Sequence, residues 1–143
     1  MTATGQVIGA ATAFIWLGMV LAISFLETPL KFRAPGITLP LGLGIGRLVF
    51  RALNAAEIIF SAVLLAALVA SRPTAASWVL LGVTGAFLAA QTGLLRPRLD
   101  RRAGQIITGQ SPPASRLHLA YVALEVLKVA ALVTLGTLLI TSP

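Results

Sequence analysis

Three of the four carboxylic acids in this chain stand where carboxylates are rarely tolerated. Glu27 closes one apolar run, and Glu57 and Glu125 lie inside two others; only Asp100 sits in an obviously polar stretch. A charged side chain at the centre of a bilayer costs about 2.5–3.5 kcal/mol on insertion scales, so such residues face a bundle interior, a partner or a water-filled cavity. Their neighbours are spaced to meet them. His118, Tyr121, Glu125 and Lys128 follow one another at intervals of 3, 4 and 3, which sets all four on one helical stripe. Arg47, Arg51, Asn54, Glu57 and Ser61 fall within roughly a third of a helix circumference. Thr84 and Gln91 are seven apart, with Arg98 a further seven along.

Three chemistries fit this set. The first is a buried polar network that pins the packing of helices, with Glu57 or Glu125 paired to Lys128, Arg51 or Asn54. The second is a site for a proton, cation or small substrate. Its residues are Glu57, Glu125, Lys128, Asn54, Arg51, Glu27, Gln91, His118 and Tyr121, with Lys128 as internal counter-ion. The third is a metal or catalytic site, in which His118, Glu27, Glu57 and Glu125 offer one imidazole and three carboxylates. No Glu-x-x-His pair supports the metal version, and no metal or cofactor is assigned.

The elements that position these residues follow from composition. The chain has 143 residues, 57% hydrophobic and 10% charged, against about 25% charged in ordinary soluble domains. That balance excludes a soluble enzyme and a disordered tail. The net charge of +7 does not point to nucleic acid, because so few charges cannot make a wet basic face. The absence of cysteine excludes a disulfide framework, thiolate metal sites and a Cys nucleophile.

A membrane helix needs roughly 20 apolar residues. Val7–Leu26 and Pro73–Leu95 carry no charge, Ile58–Ser71 becomes long enough if extended back toward Leu48, and Leu119–Thr141 holds Glu125 and Lys128. The expectation is an all-α, integral membrane four-helix bundle in a single domain spanning 1–143, with helices at about 6–27, 45–71, 74–95 and 116–141. The runs are too long for barrel strands and do not alternate. The first run is read as a retained helix, since Met1–Gln6 has no Lys or Arg.

All basic residues but Arg72 and Lys128 lie in or beside the connections between helices 1 and 2 and between helices 3 and 4. The Lys/Arg bias puts those connections in the cytoplasm and both termini on the outer side. On that topology Glu27, Gln91 and His118 lie near the cytoplasmic boundary, with Glu57 and Glu125 roughly 10–15 Å deeper.

Smaller features read as architecture. Ala34-Pro35-Gly36 and Leu39-Pro40 break the chain after helix 1, leaving 34–46 as an apolar loop or a re-entrant segment. Arg96-Pro97 ends helix 3, and Ser111-Pro112-Pro113 precedes helix 4, which Ser115 caps. Gly42-x-Gly44-x-Gly46 follows no strand and reads as close packing. Gly5-x-x-x-Gly9 and Gly82-x-x-Gly85 are small-residue patches for helix contact. Trp16 and Trp78 are expected to face lipid or the interface.

Two resemblances add to this reading. Trp16-Leu17-Gly18, Phe25 to Phe32 (FLETPLKF), Gly46 to Asn54 (GRLVFRALN), Leu95-Arg96-Pro97-Arg98 and Leu117-His118-Leu119-Ala120-Tyr121 together resemble the small four-helix membrane family of the animal transmembrane protein associated with cisplatin resistance and its bacterial relatives. That resemblance implies a polytopic membrane protein of the bacterial cytoplasmic membrane, linked to export or stress resistance. Arg51-Ala52-x-Asn54-x-x-Glu57 is also similar to a helix-2 signature of the membrane-associated eicosanoid and glutathione enzymes, with the Asn one residue early. The functional expectation is a transport- or resistance-type protein with an intramembrane glutamate cluster. The alternatives are a membrane enzyme on a lipophilic substrate, dependent on glutathione or metal, and a structural subunit of a membrane complex. In the enzyme reading, Arg47, Arg51, Asn54 and Glu57 hold an anionic cofactor and Tyr121 or His118 does acid/base chemistry. Expected partners are the lipid bilayer, further copies of the chain, and a small lipophilic or cationic substrate, with no nucleic acid.

Overall fold

The computed structural model describes residues 2–142. Four helices, each long and apolar enough to cross a membrane, account for most of them: α1 (Ala3–Lys31), α2 (Leu39–Ser71), α3 (Ala75–Ile107) and α4 (Leu117–Thr141). No strand occurs among the described residues. The fold is therefore the expected all-α four-helix arrangement, but its helices are longer than the apolar runs alone indicate. The stretch 34–46 is mostly not a loop. The chain turns over 32–36, with Gly36 at a φ of 79°, and α2 begins at Leu39. The Thr38 side chain caps it by accepting from the Leu41 N–H at 3.3 Å, and Pro40 occupies the first turn, where a missing N–H costs nothing. At the start of α4 the Leu117 N–H donates to Ser115 Oγ at 3.1 Å, but the N-cap position is Arg116, whose side chain makes no capping bond, so Ser115 lies one residue outside the cap expected of it.

Both α1 and α3 contain a π-helical turn immediately ahead of a proline. In α1 it spans Leu21–Glu27, before Pro29; in α3 it spans Gln91–Leu95, before Pro97. A proline inside a helix has no N–H to give and its ring crowds the carbonyl four residues back. One extra residue in the preceding turn relieves this. The Thr28 N–H and hydroxyl both reach Ile23 O, and the Arg96 N–H reaches Gln91 O, each five residues back. Arg96-Pro97 therefore does not end helix 3; the helix continues through Arg96–Ile107 and stops at Gly109, at a φ of 88°.

The helices pack in the ring order α1–α2–α3–α4, with α1 held between α2 and α4. Neighbours run antiparallel. A Cβ on Gly5 would stand 2.9 Å from Ser71 Cβ, and one on Gly9 would stand 3.1 Å from Leu139 Cδ1, so the start of α1 lies close against the ends of α2 and α4. Gly5-x-x-x-Gly9 is a helix contact as expected, whereas Gly82 and Gly85 meet nothing within 4 Å. The Gln6 side chain donates to the Ser142 carbonyl at 3.0 Å and the Thr2 hydroxyl to the Ala70 carbonyl at 3.2 Å. Both ends of the chain thus share one end of the bundle with the α2–α3 turn. The two connections rich in Lys and Arg share the other, the basic end.

Two apolar layers fill the interior. One, toward the termini, includes Trp16, Leu64, Leu68, Leu88, Leu132, Leu135 and Leu139. The other, toward the basic end, is built on Phe50, Leu53 and Tyr121. Outside, Val7, Leu48, Ile59, Val79, Leu119 and Ile140 are all more than half exposed. Water-soluble monomers rarely expose contiguous apolar surface of that extent, and a hydrocarbon solvent explains it.

Candidate functional site

Between the two apolar layers lies a polar layer to which every helix contributes. Lys128 of α4 is wholly buried, about 16 Å along its helix from Leu117. Its ammonium donates to Glu57 Oε1 of α2 in a very short contact and to Gln91 Oε1 of α3 at 2.7 Å, and lies 3.0 Å from Glu125 Oε1. Gln91 Nε2 donates to Glu125 Oε2 at 2.7 Å, and the Trp16 indole N–H of α1 donates to Glu57 Oε1 at 2.9 Å. Glu57 is fully buried and Glu125 is 1% exposed. A lysine and two glutamates removed from water persist only when each charge has partners, because desolvating an ion costs several kcal/mol. Here Lys128 has three oxygen neighbours and Glu57 has two donors on one oxygen. Glu57 Oε2 and Glu125 Oε1 accept no hydrogen bond. With both glutamates ionised the layer carries one negative charge more than positive.

The helical stripes explain how these groups meet. Tyr121, Glu125 and Lys128 all turn inward as their spacing requires, and so do Asn54 and Glu57. The Tyr121 hydroxyl donates to Asn54 Oδ1 at 3.5 Å, just above the charged layer. Of the nine candidate residues, six (Glu57, Glu125, Lys128, Gln91, Asn54, Tyr121) are therefore buried together. Three are not. Arg51 is exposed on α2; with Asn54, Arg96 and Asp100 it lines a shallow groove between α2 and α3. Glu27 is half-buried and pairs with Lys31 at 3.3 Å. His118 is exposed at the basic end. Among the described residues no three His, Asp or Glu side chains are grouped to hold a metal ion, so the imidazole-and-three-carboxylate set does not assemble. The glutathione-type pattern does not converge either: Glu57 is sealed among Lys128 and Trp16 while Arg51 stands outside.

Two residues escaped the sequence reading. Trp16, expected at the lipid face, is fully buried, stacks on Phe60 at a centroid distance of 6.3 Å and donates to Glu57. A tryptophan in an apolar run gives no sign of its direction unless its N–H is matched to a buried acceptor. Arg96, expected in a loop, lies 4.5 Å from the Phe50 ring and 4.6 Å from the Tyr121 ring. The π turn is responsible: one inserted residue rotates the downstream part of the helix by about 100°. Arg98 loses the register it would share with Gln91 and Arg96 takes the inward position. Trp78, by contrast, is exposed as expected.

Toward the basic end the helices part. Two adjoining cavities, of about 150 and 450 Å³, share walls formed by Thr28, Phe32, Leu43, Phe50, His118 and Tyr121. The smaller reaches Lys31, Arg47, Arg96 and Asp100; the larger runs between α1 and α4 to Ser24 and Glu125. Two glycines of the run pack closely here, since a Cβ on Gly42 would run into the Phe32 ring and one on Gly46 would lie 3.1 Å from Lys31 Nζ, whereas one on Gly44 would meet nothing within 4 Å among the described residues. No protein-family model, curated protein or solved structure matches the chain.

Proposed function

We propose that the chain is a small membrane protein of transport or resistance type in which Glu57, Lys128 and Glu125 form a one-proton site. The observation that carries this reading is the charge count of the sealed layer. Two carboxylates and one ammonium are buried at 0–1% exposure, so a proton on one carboxylate makes the layer neutral and its loss leaves one unbalanced negative charge. Glu125 is the carboxylate that exchanges the proton. It borders the larger cavity, whereas Glu57 lines neither cavity and is shut in by Lys128 and Trp16. Gln91 holds Glu125 in place, and the Tyr121–Asn54 pair lies between the layer and the basic end beside the larger cavity that reaches Glu125. In this reading both termini face outward and the basic end faces the cytoplasm, as the Lys/Arg bias favours, so the cavity supplies the proton from the cytoplasmic side. Transport of a cation or small lipophilic molecule would be coupled to that proton.

Infrared difference spectroscopy on the reconstituted protein tests it. Raising the pH should bleach a protonated-carboxyl band that is missing in Glu125→Gln and kept in Asp100→Asn. Persistence of the band in Glu125→Gln would refute the assignment.

A further inference from the structure

We infer that the cavity at the basic end binds a single-chain anionic amphiphile drawn from the surrounding lipid leaflet. The inference concerns the cavity's ligand and stands apart from the proton reading, since it rests on charges at the opposite end of the cavity from Glu125.

The walls are apolar along most of their length, with Phe32, Leu43 and Phe50 inside and Phe25 and Val122 flanking the gap between α1 and α4. Phe25 and Phe32 are each nearly two-fifths exposed, so the gap opens on the same surface as the lipid-facing side chains. A volume of about 450 Å³ falls in the range of small-molecule sites, and suits one alkyl chain. The charged side chains stand at the two ends, with Thr28, His118 and Tyr121 on the walls the two cavities share. At the inner end stand Ser24 and Glu125. At the basic end stand three cations, two of them already matched: Lys31 pairs with Glu27 at 3.3 Å and Arg96 with Asp100 at 3.7 Å. Arg47 is half-buried and, among the described residues, has no carboxylate within 4.0 Å. Arg96 Nε is buried and donates to nothing. A guanidinium fork and a spare N–H at the head of an apolar slot recognise a carboxylate or phosphate head. The inner end offers the head no free cation, because Lys128 is already held by Glu57, Gln91 and Glu125, so the amphiphile enters in one direction only. Its head lies by Arg47 and Arg96, and its chain passes Phe32 and Leu43 and leaves between α1 and α4.

The test uses the full chain in nanodiscs of zwitterionic lipid, titrated with three probes of equal chain length: dodecanoate, dodecanol and dodecyltrimethylammonium. Binding is read by thermal shift and native mass spectrometry. Dodecanoate should bind about tenfold more tightly than dodecanol, the size of one charge-assisted contact, and dodecyltrimethylammonium more weakly than either. Arg47→Gln should remove that tenfold preference and Arg47→Lys should keep part of it. Val122→Trp, which fills the slot without touching the cations, should abolish binding of all three. Arg98→Gln, which removes an exposed cation that lines neither cavity, should leave the dodecanoate preference unchanged. Equal or tighter binding of the cationic probe, or an unaltered preference in Arg47→Gln, would overturn the inference.

Discussion

Lys128 decides the energetics of the polar layer. Its ammonium is the one positive charge among two sealed carboxylates, and every helix is tied to it directly or through one neighbour. Removing one member of a buried pair costs about 3–5 kcal/mol, because the partner is left charged and unmatched. Lys128→Met should therefore unfold at a markedly lower temperature in detergent. The triple variant Lys128→Met, Glu57→Gln, Glu125→Gln, in which no charge remains, should recover most of the loss. If the triple variant melts no higher than the single one, the penalty lies in packing volume and not in unbalanced charge. The sequence alone groups these residues, because intervals of 4 and 3 leave Tyr121, Glu125 and Lys128 no alternative to a common face. Trp16 is legible only through glycine: it stands seven residues after Gly9, on the contact stripe that Gly5 and Gly9 open, but no polar residue on that stripe points to Glu57.

At the scale of elements, the π turns carry the register. Without the one at Gln91–Leu95, Arg98 would share a face with Gln91 and Arg96 would point away from Tyr121. Pro97 imposes the turn, so Pro97→Ala allows the ordinary hydrogen-bond ladder to re-form and rotates the rest of α3 by about 100°. The chain has no cysteine, which makes this easy to read. In the otherwise unaltered protein, Arg98→Cys should react quickly with a water-soluble thiol reagent and Arg96→Cys slowly. In the Pro97→Ala background the order should reverse. An unchanged order would mean that packing, not the proline, maintains the π turn. A proline in an apolar segment is visible in any sequence. Whether it ends the helix, kinks it or is absorbed by a wider turn depends on the neighbours that cover the freed carbonyls, and here the helix on both sides is held by α2 and α4.

For the whole molecule, the distribution of charge argues an orientation. The bundle gathers its termini at one end and the Lys- and Arg-rich connections at the other. On the orientation proposed above, with the basic end in the cytoplasm, Ser142→Cys in intact cells should be labelled from outside by a membrane-impermeant maleimide. Arg101→Cys should be labelled only after permeabilisation. The opposite pattern would reverse the topology and with it the side from which the cavity meets the proton site.

The number and kind of elements came from the sequence, since uninterrupted apolar runs of about 20 residues cannot be folded into water and cannot pair as strands without alternation. So did the inward faces of α2 and α4, where a few polar residues repeat at helical spacing. The extent of the helices did not, because Thr38 and Pro40 make a start of what reads as a break, and the π turn makes a continuation of what reads as a stop. Nor did the partners of each charge. That Glu57 meets Lys128, that Trp16 closes over Glu57, and that Arg47 has no carboxylate within 4.0 Å among the described residues are set by how four helices lie against one another. Helical periodicity fixes the angle of a side chain about its own axis, and only the packing fixes what stands opposite.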